Sequence, residues 1–161
     1  MKELDGNGLH LCKYQGEIFE ESTKRLNCSS LVFCRRFQKS KLARLLDYGG
    51  YSLSLDVDEA FQMLSSQFGE SDYGKDKYPS EAMFWLGYIY RYISYTRECP
   101  TKLVLKLLPA KALIKDYYVY HTQDEEWCLR SWCERFGLSN DDFDKKARLK
   151  RLLLASYASF L

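Results

Sequence analysis

The sequence predicts an all-α fold in a single compact domain of about seven helices, arranged around a central aromatic helix over 80–98. Three observations carry this. The first is the stretch Ser80 to Glu98, in which Phe84, Trp85, Leu86, Tyr88, Ile89, Tyr90, Tyr92, Ile93 and Tyr95 leave almost no polar face. A helix apolar on every side must be covered on most of them, by a core or by a membrane. Arg91 interrupts it, and the unbroken apolar part falls short of the ~20 residues a bilayer crossing needs, so a core is implied. The second is the recurrence of apolar residues at steps of three and four through most of the chain. The third is a set of helix-opening pairs three residues apart: Asp56 with Glu59, Thr122 with Glu125, and Ser139 with Asp142. At 161 residues the chain suits one domain, by the norm of roughly 100–200 residues, and is long enough to bury a substantial core.

Taken in order, residues 1–9 hold two glycines and an asparagine and are expected to be flexible. Leu11, Tyr14, Ile18, Phe19 and Leu26 mark a first helix, with Glu17, Glu20, Glu21 and Lys24 outside. Ser29 or Ser30 caps a second, carrying Leu31, Val32, Phe33, Phe37, Leu42, Leu45 and Leu46, with a jog near Ser40 and an end at Gly49-Gly50. Leu53 and Leu55 lie in a short connector. Asp56 opens a helix through Ala60, Phe61, Leu64 and Phe68 that stops at Gly69, and residues 69–79 form a loop rich in Gly, Asp and Lys. Pro79 is placed just inside the aromatic helix and Pro100 closes it. Thr101 is expected to cap a short helix ending near Pro109, and another runs from Ala110 to about Tyr120. Thr122 is expected to cap a helix with Trp127, Leu129, Trp132 and Phe136, ended by Gly137. Ser139 then opens a basic amphipathic helix within 138–161, packed on the domain through Phe143, Leu149, Leu152, Leu153, Tyr157 and Phe160.

Composition narrows function mainly by exclusion. A hydrophobic share of 46% with 16% aromatic residues is that of a globular chain, and the net charge of +2 demands neither nucleic acid nor an anionic membrane. The six cysteines form no CxxC pair, so zinc spacing is missing, and the N-terminus lacks the apolar core of a signal peptide. A reduced cytoplasmic chain with buried thiols is expected; three disulfides in a secreted chain would suit a smaller, loopier protein. No Gly-rich phosphate loop, acid/base carboxylate pair or HExxH motif occurs. No enzyme, cofactor or metal is therefore expected.

Arg91, amid aromatics, needs partners, because a desolvated guanidinium is costly alone. It is either a ligand-binding arginine lined by Tyr88, Tyr92 and Tyr95, or half of an internal salt bridge to an acid of the 70–76 loop, Asp116 or Asp124. His121, at a helix junction, is a structural histidine or, with Arg91, part of a small-ligand or enzymatic site. The basic residues of 35–44 (Arg35, Arg36, Lys39, Lys41, Arg44) and of 145–151 (Lys145, Lys146, Arg148, Lys150, Arg151) form ordinary solvated faces or a nucleic-acid footprint. Cys128 and Cys133 fall on different faces of one helix, as buried small hydrophobes do.

Several segments together, Cys28-Ser29-Ser30-Leu31-Val32-Phe33, Arg35-Arg36-Phe37, Ser71-Asp72-Tyr73-Gly74, Trp85 through Tyr92, and Tyr120-His121-Thr122, follow an order of motifs: CSSxxFxRRF, SDYG, GYxYRY and YHTxD. In this the chain resembles a family of small, mostly uncharacterised bacterial cytoplasmic proteins. Genes of that family lie beside those of ADP-ribosyltransferase-like proteins in apparent toxin–antitoxin modules. The resemblance spans about residues 11–136 and implies an antitoxin-like role: binding a partner toxin and occluding its active site, with a homo-oligomer as a further possibility. It marks Arg35, Arg36, Tyr88, Arg91, Tyr92, His121 and Asp124 as partner- or ligand-binding positions. The chain departs from the pattern at Ile93, where a tryptophan is expected, and after Gly137, where the basic helix is an addition.

Overall fold

A computed structural model describes residues 1–49 and 54–160, so Gly50 of the expected helix end and Leu53 of the expected connector lie outside the described residues. The Asp5 carboxylate accepts the Gly8 N–H at 2.8 Å and opens α1 (Gly6–Arg25) within the segment expected to be flexible. Upstream, the Lys2 N–H donates to the Thr96 carbonyl at 2.7 Å, and the Tyr95 hydroxyl donates to Asp5 at 2.6 Å. These long-range contacts order the N-terminus.

Ser29 caps α2 (Ser30–Gln38) by accepting the Val32 N–H. The jog expected near Ser40 is a full break: the Ser40 hydroxyl accepts the Ala43 N–H and starts a separate α3 (Lys41–Asp47). The Asp56/Glu59 capping box forms as expected and opens α4 (Val57–Phe68), which ends at Gly69 with φ +69°. Next comes α5 (Ser80–Arg97), with Pro79 at its cap position rather than inside it.

Beyond α5 the caps differ from expectation. Pro100, not Thr101, occupies the cap position of α6 (Thr101–Leu107), since the Thr101 hydroxyl is engaged elsewhere. The helix expected over 110–120 is broken into α7 (Ala110–Leu113), a 3-10 turn over Ile114–Asp116, and α8 (Tyr117–Tyr120). Asp124 rather than Thr122 caps α9 (Glu125–Phe136), accepting the Trp127 N–H at 3.0 Å. A carboxylate caps at least as well as a threonine hydroxyl, and this one stands directly before the first helical residue. The Ser139/Asp142 box forms but encloses a 3-10 turn, Asn140–Phe143; Asp144 caps the last helix, α10 (Lys145–Ala158). Every regular element among the described residues is helical.

One core collects side chains from α1 through Phe143. Its most extensive helix pair is α1 on α5. The two approach closely because Gly87 has no side chain: a Cβ there would lie 2.7 Å from the Gln15 carbonyl oxygen and 2.7 Å from the Phe19 ring. Phe19 in turn meets Phe33 and Phe37 edge-on at 5.0 and 4.9 Å, the arrangement favoured by ring quadrupoles. Tyr90 is fully buried, and its hydroxyl donates to the Leu108 carbonyl at 2.6 Å. The thiols behave as packing groups: burial pushes Cys12, Cys34 and Cys99 up to about 12.

The C-terminus departs most from expectation. Phe143 is buried, but Leu149, Leu152, Leu153, Leu154, Tyr157 and Phe160 are exposed, from 52% at Leu153 to 86% at Phe160. The core is already closed by the 3-10 turn, so α10 reaches past it and meets mainly that turn.

Candidate functional site

Of the positions marked in the sequence, Arg91 is the most deeply placed, at 1% exposure. Its Nε donates to Gln15 Oε1 at 2.9 Å, Nη1 to Asp47 Oδ1 at 2.9 Å, and Nη2 to Thr101 Oγ1 at 2.7 Å. Asp47 also accepts the Thr101 hydroxyl at 2.6 Å and the Thr101 N–H at 3.1 Å, while Gln15 Nε2 donates to the Gly87 carbonyl at 3.0 Å. Burial lowers the guanidinium pKa and the Asp47 charge works against that shift. The partner is thus Asp47 at the end of α3, not an acid of the 70–76 loop, Asp116 or Asp124. The constellation joins α1, α3, α5 and α6, and it uses every side of the arginine internally.

The remaining motif positions divide between scaffold and surface. Tyr92 donates to Glu126 at 2.7 Å, and Arg97 grips the same carboxylate with both Nη atoms. Asp124 is a helix cap. Arg36 donates to the Gly69 carbonyl at 3.0 Å and lies over the Phe68 ring, whereas Arg35 is exposed. Ser29 and Ser30 donate their N–H groups to the Tyr73 and Asp76 carbonyls, both at 3.1 Å, so the CSS and SDYG segments are physical partners. His121 is exposed, stacked on Tyr117 at 4.6 Å with Nδ1 2.7 Å from the Tyr117 carbonyl. It shares a cleft with Tyr88, but Arg91 does not line that cleft. The structure therefore does not bring Arg91 and His121 together.

A further surface feature lies later in the chain, outside the positions marked in the sequence. Between α6 and α10 runs a groove of about 390 Å³, floored by Pro100, Leu103, Leu149 and Leu152 and edged by Lys102, Lys106 and Arg148. Those three cations form no ion pair among the described residues; Arg151 does, with Asp142 at 2.7 Å, and this fastens α10 to the preceding turn. Beyond the groove Leu153 and Tyr157 continue the apolar stripe at helical spacing, and Phe160 follows in the turn past the helix end. The available signal was the run of leucines; what it lacked was any sign that the core ends at Phe143. An apolar stripe of this kind with basic margins fits an acidic, partly apolar surface. No protein-family model, no curated protein and no solved structure matches this chain.

Proposed function

We propose that this chain is an antitoxin-type protein-binding module, which docks its partner on α10 and the α6–α10 groove and occludes it sterically. The observation that carries the reading is the exposure of six large apolar side chains, five on the terminal helix and Phe160 in the turn after it. Such a helix gains stability by being covered, and aromatic and arginine side chains of the kind gathered there dominate interface energetics. The choice of a toxin of the ADP-ribosyltransferase-like class rests on the motif resemblance. Lys102, Lys106 and Arg148 at the groove's edge favour a partner whose docking surface is acidic. The test is native mass spectrometry of the tagged protein isolated from its host at low salt, beside a Leu152→Glu/Leu153→Glu variant. The expected result is a stoichiometric protein partner, lost in the variant while its helical circular dichroism is kept, whose activity this chain suppresses. A partner retained equally by the variant overturns the docking site, and a lone chain overturns the reading.

A second reading has one specific observation in its favour. Arg35 lines two adjoining grooves, one with Lys39 and one with Lys111, which together make a short basic strip suited to a phosphate backbone. Co-purified nucleic acid whose binding falls steeply with salt would favour it over a protein partner.

A further inference from the structure

The cleft that holds Tyr88 and His121 combines aromatic rings with carboxylates. It has a volume of about 530 Å³, within the ordinary size of ligand sites. Trp85 and Tyr117 meet there edge to face at 5.7 Å, and Phe84 stacks on Tyr88 at 6.4 Å. Three carboxylic acids from three helices, Glu20, Glu81 and Glu125, line the same space; no Lys or Arg does, and none of the three forms an ion pair among the described residues. Their field is felt by the rings: burial first and Glu125 second push the Tyr88 hydroxyl up to about 12, and Glu81 adds to the effect of burial in raising that of Tyr117.

We infer that this cleft binds an organic cation, an ammonium or guanidinium group carrying apolar carbon, between the aromatic faces and the three carboxylates. Electron-rich ring faces attract a cation within about 6 Å, and they do so best where it is partly stripped of water. The acids supply the charge that the rings alone do not, and they exclude anions. A small metal ion fits less well. Among the described residues no three His, Cys, Asp or Glu side chains converge closely enough to hold one, so the carboxylates surround a larger guest rather than coordinate a point charge. Nothing in this assignment depends on the α10 surface, because the two sites lie on different helices.

The same group can arrive as a free amine or as a side chain of a peptide, and the test separates these. Binding is followed in the full chain by the Trp85 indole N–H resonance, on adding choline, agmatine, or an acetylated Gly-Arg-Gly amide, each up to about 10 mM, tenfold above a millimolar Kd. Dimethylbutanol, the uncharged isostere of choline, is the control. The expected result is a saturable shift with at least one cation, about tenfold weaker or lost with dimethylbutanol and in Glu20→Gln/Glu81→Gln. A shift with choline or agmatine assigns a free amine; a shift confined to the peptide assigns a side chain. Equal shifts from choline and dimethylbutanol, or none from any cation, overturn the inference. The isostere comparison stands even where the double variant proves unstable.

Discussion

At the residue scale, Arg91 shows how a buried charge becomes architecture. Desolvating a guanidinium costs several kcal/mol, and the cost is met here by one carboxylate, one amide and one hydroxyl fixed on three other helices. Removing the arginine strands Asp47 and Gln15 in place. Arg91→Ala is therefore expected to destabilise the chain by about 3–5 kcal/mol, read as a lower midpoint in urea. Arg91→Lys is expected to recover only part of this, because a lysine has no planar fork to reach Gln15, Asp47 and Thr101 together. Had Arg91 been held for a ligand, Arg91→Ala would leave the midpoint unchanged or raise it. The sequence showed that this arginine needs a partner but not which one. Asp47 is 44 residues away and reads locally as one more polar residue at a helix end.

At the scale of elements, the α1–α5 contact is set by what is missing from it. Gly87→Ala places a methyl group against the Gln15 backbone oxygen, and backbone in the middle of a packed helix cannot step aside. We expect a loss of about 1–3 kcal/mol by overpacking, although alanine is the better helix former. At Gly16 the nearest atoms an added methyl would meet belong to the Phe84 ring, a half-buried side chain rather than backbone, so thermal denaturation of Gly16→Ala should show a smaller loss. The helices themselves were legible in advance wherever a cap competes with nothing: Ser29, the Asp56/Glu59 box and Gly69 all act as their residue types suggest. Reading failed where two caps lay close together or where a capping side chain had a distant use. Thr122 yields to Asp124 two residues on, and Thr101 gives its hydroxyl to Asp47. The 110–120 helix breaks where Asp116 turns to receive the Trp132 indole N–H at 2.8 Å, a contact no local pattern contains. The same kind of distant contact appears at Tyr92, whose hydroxyl ties α5 to Glu126 of α9, the helix that Asp124 caps.

At the scale of the whole molecule, the chain separates into a closed core and one helix that the core does not need. Phe143 is the last side chain of the core, and past it α10 meets mainly the 3-10 turn, lines the groove along α6 and holds the Arg151–Asp142 pair. That pair is half exposed and so contributes little. Ending the chain after Asp144 is accordingly expected to move the melting temperature by less than about 4 °C, the change that roughly 1 kcal/mol produces in a domain of this size. The same truncation is expected to abolish partner binding in the native mass spectrum. These two outcomes pull against each other in a useful way. If α10 folded inward on the leucine face that its sequence suggests, truncation would expose several core side chains and cost many kcal/mol, at about 25 cal/mol per Å² of apolar surface. A chain that keeps its melting temperature and loses its partner instead locates the interaction on the last helix. It would also explain why a surface carrying Leu149, Leu152, Leu153, Leu154, Tyr157 and Phe160 persists on a protein whose core is complete without it.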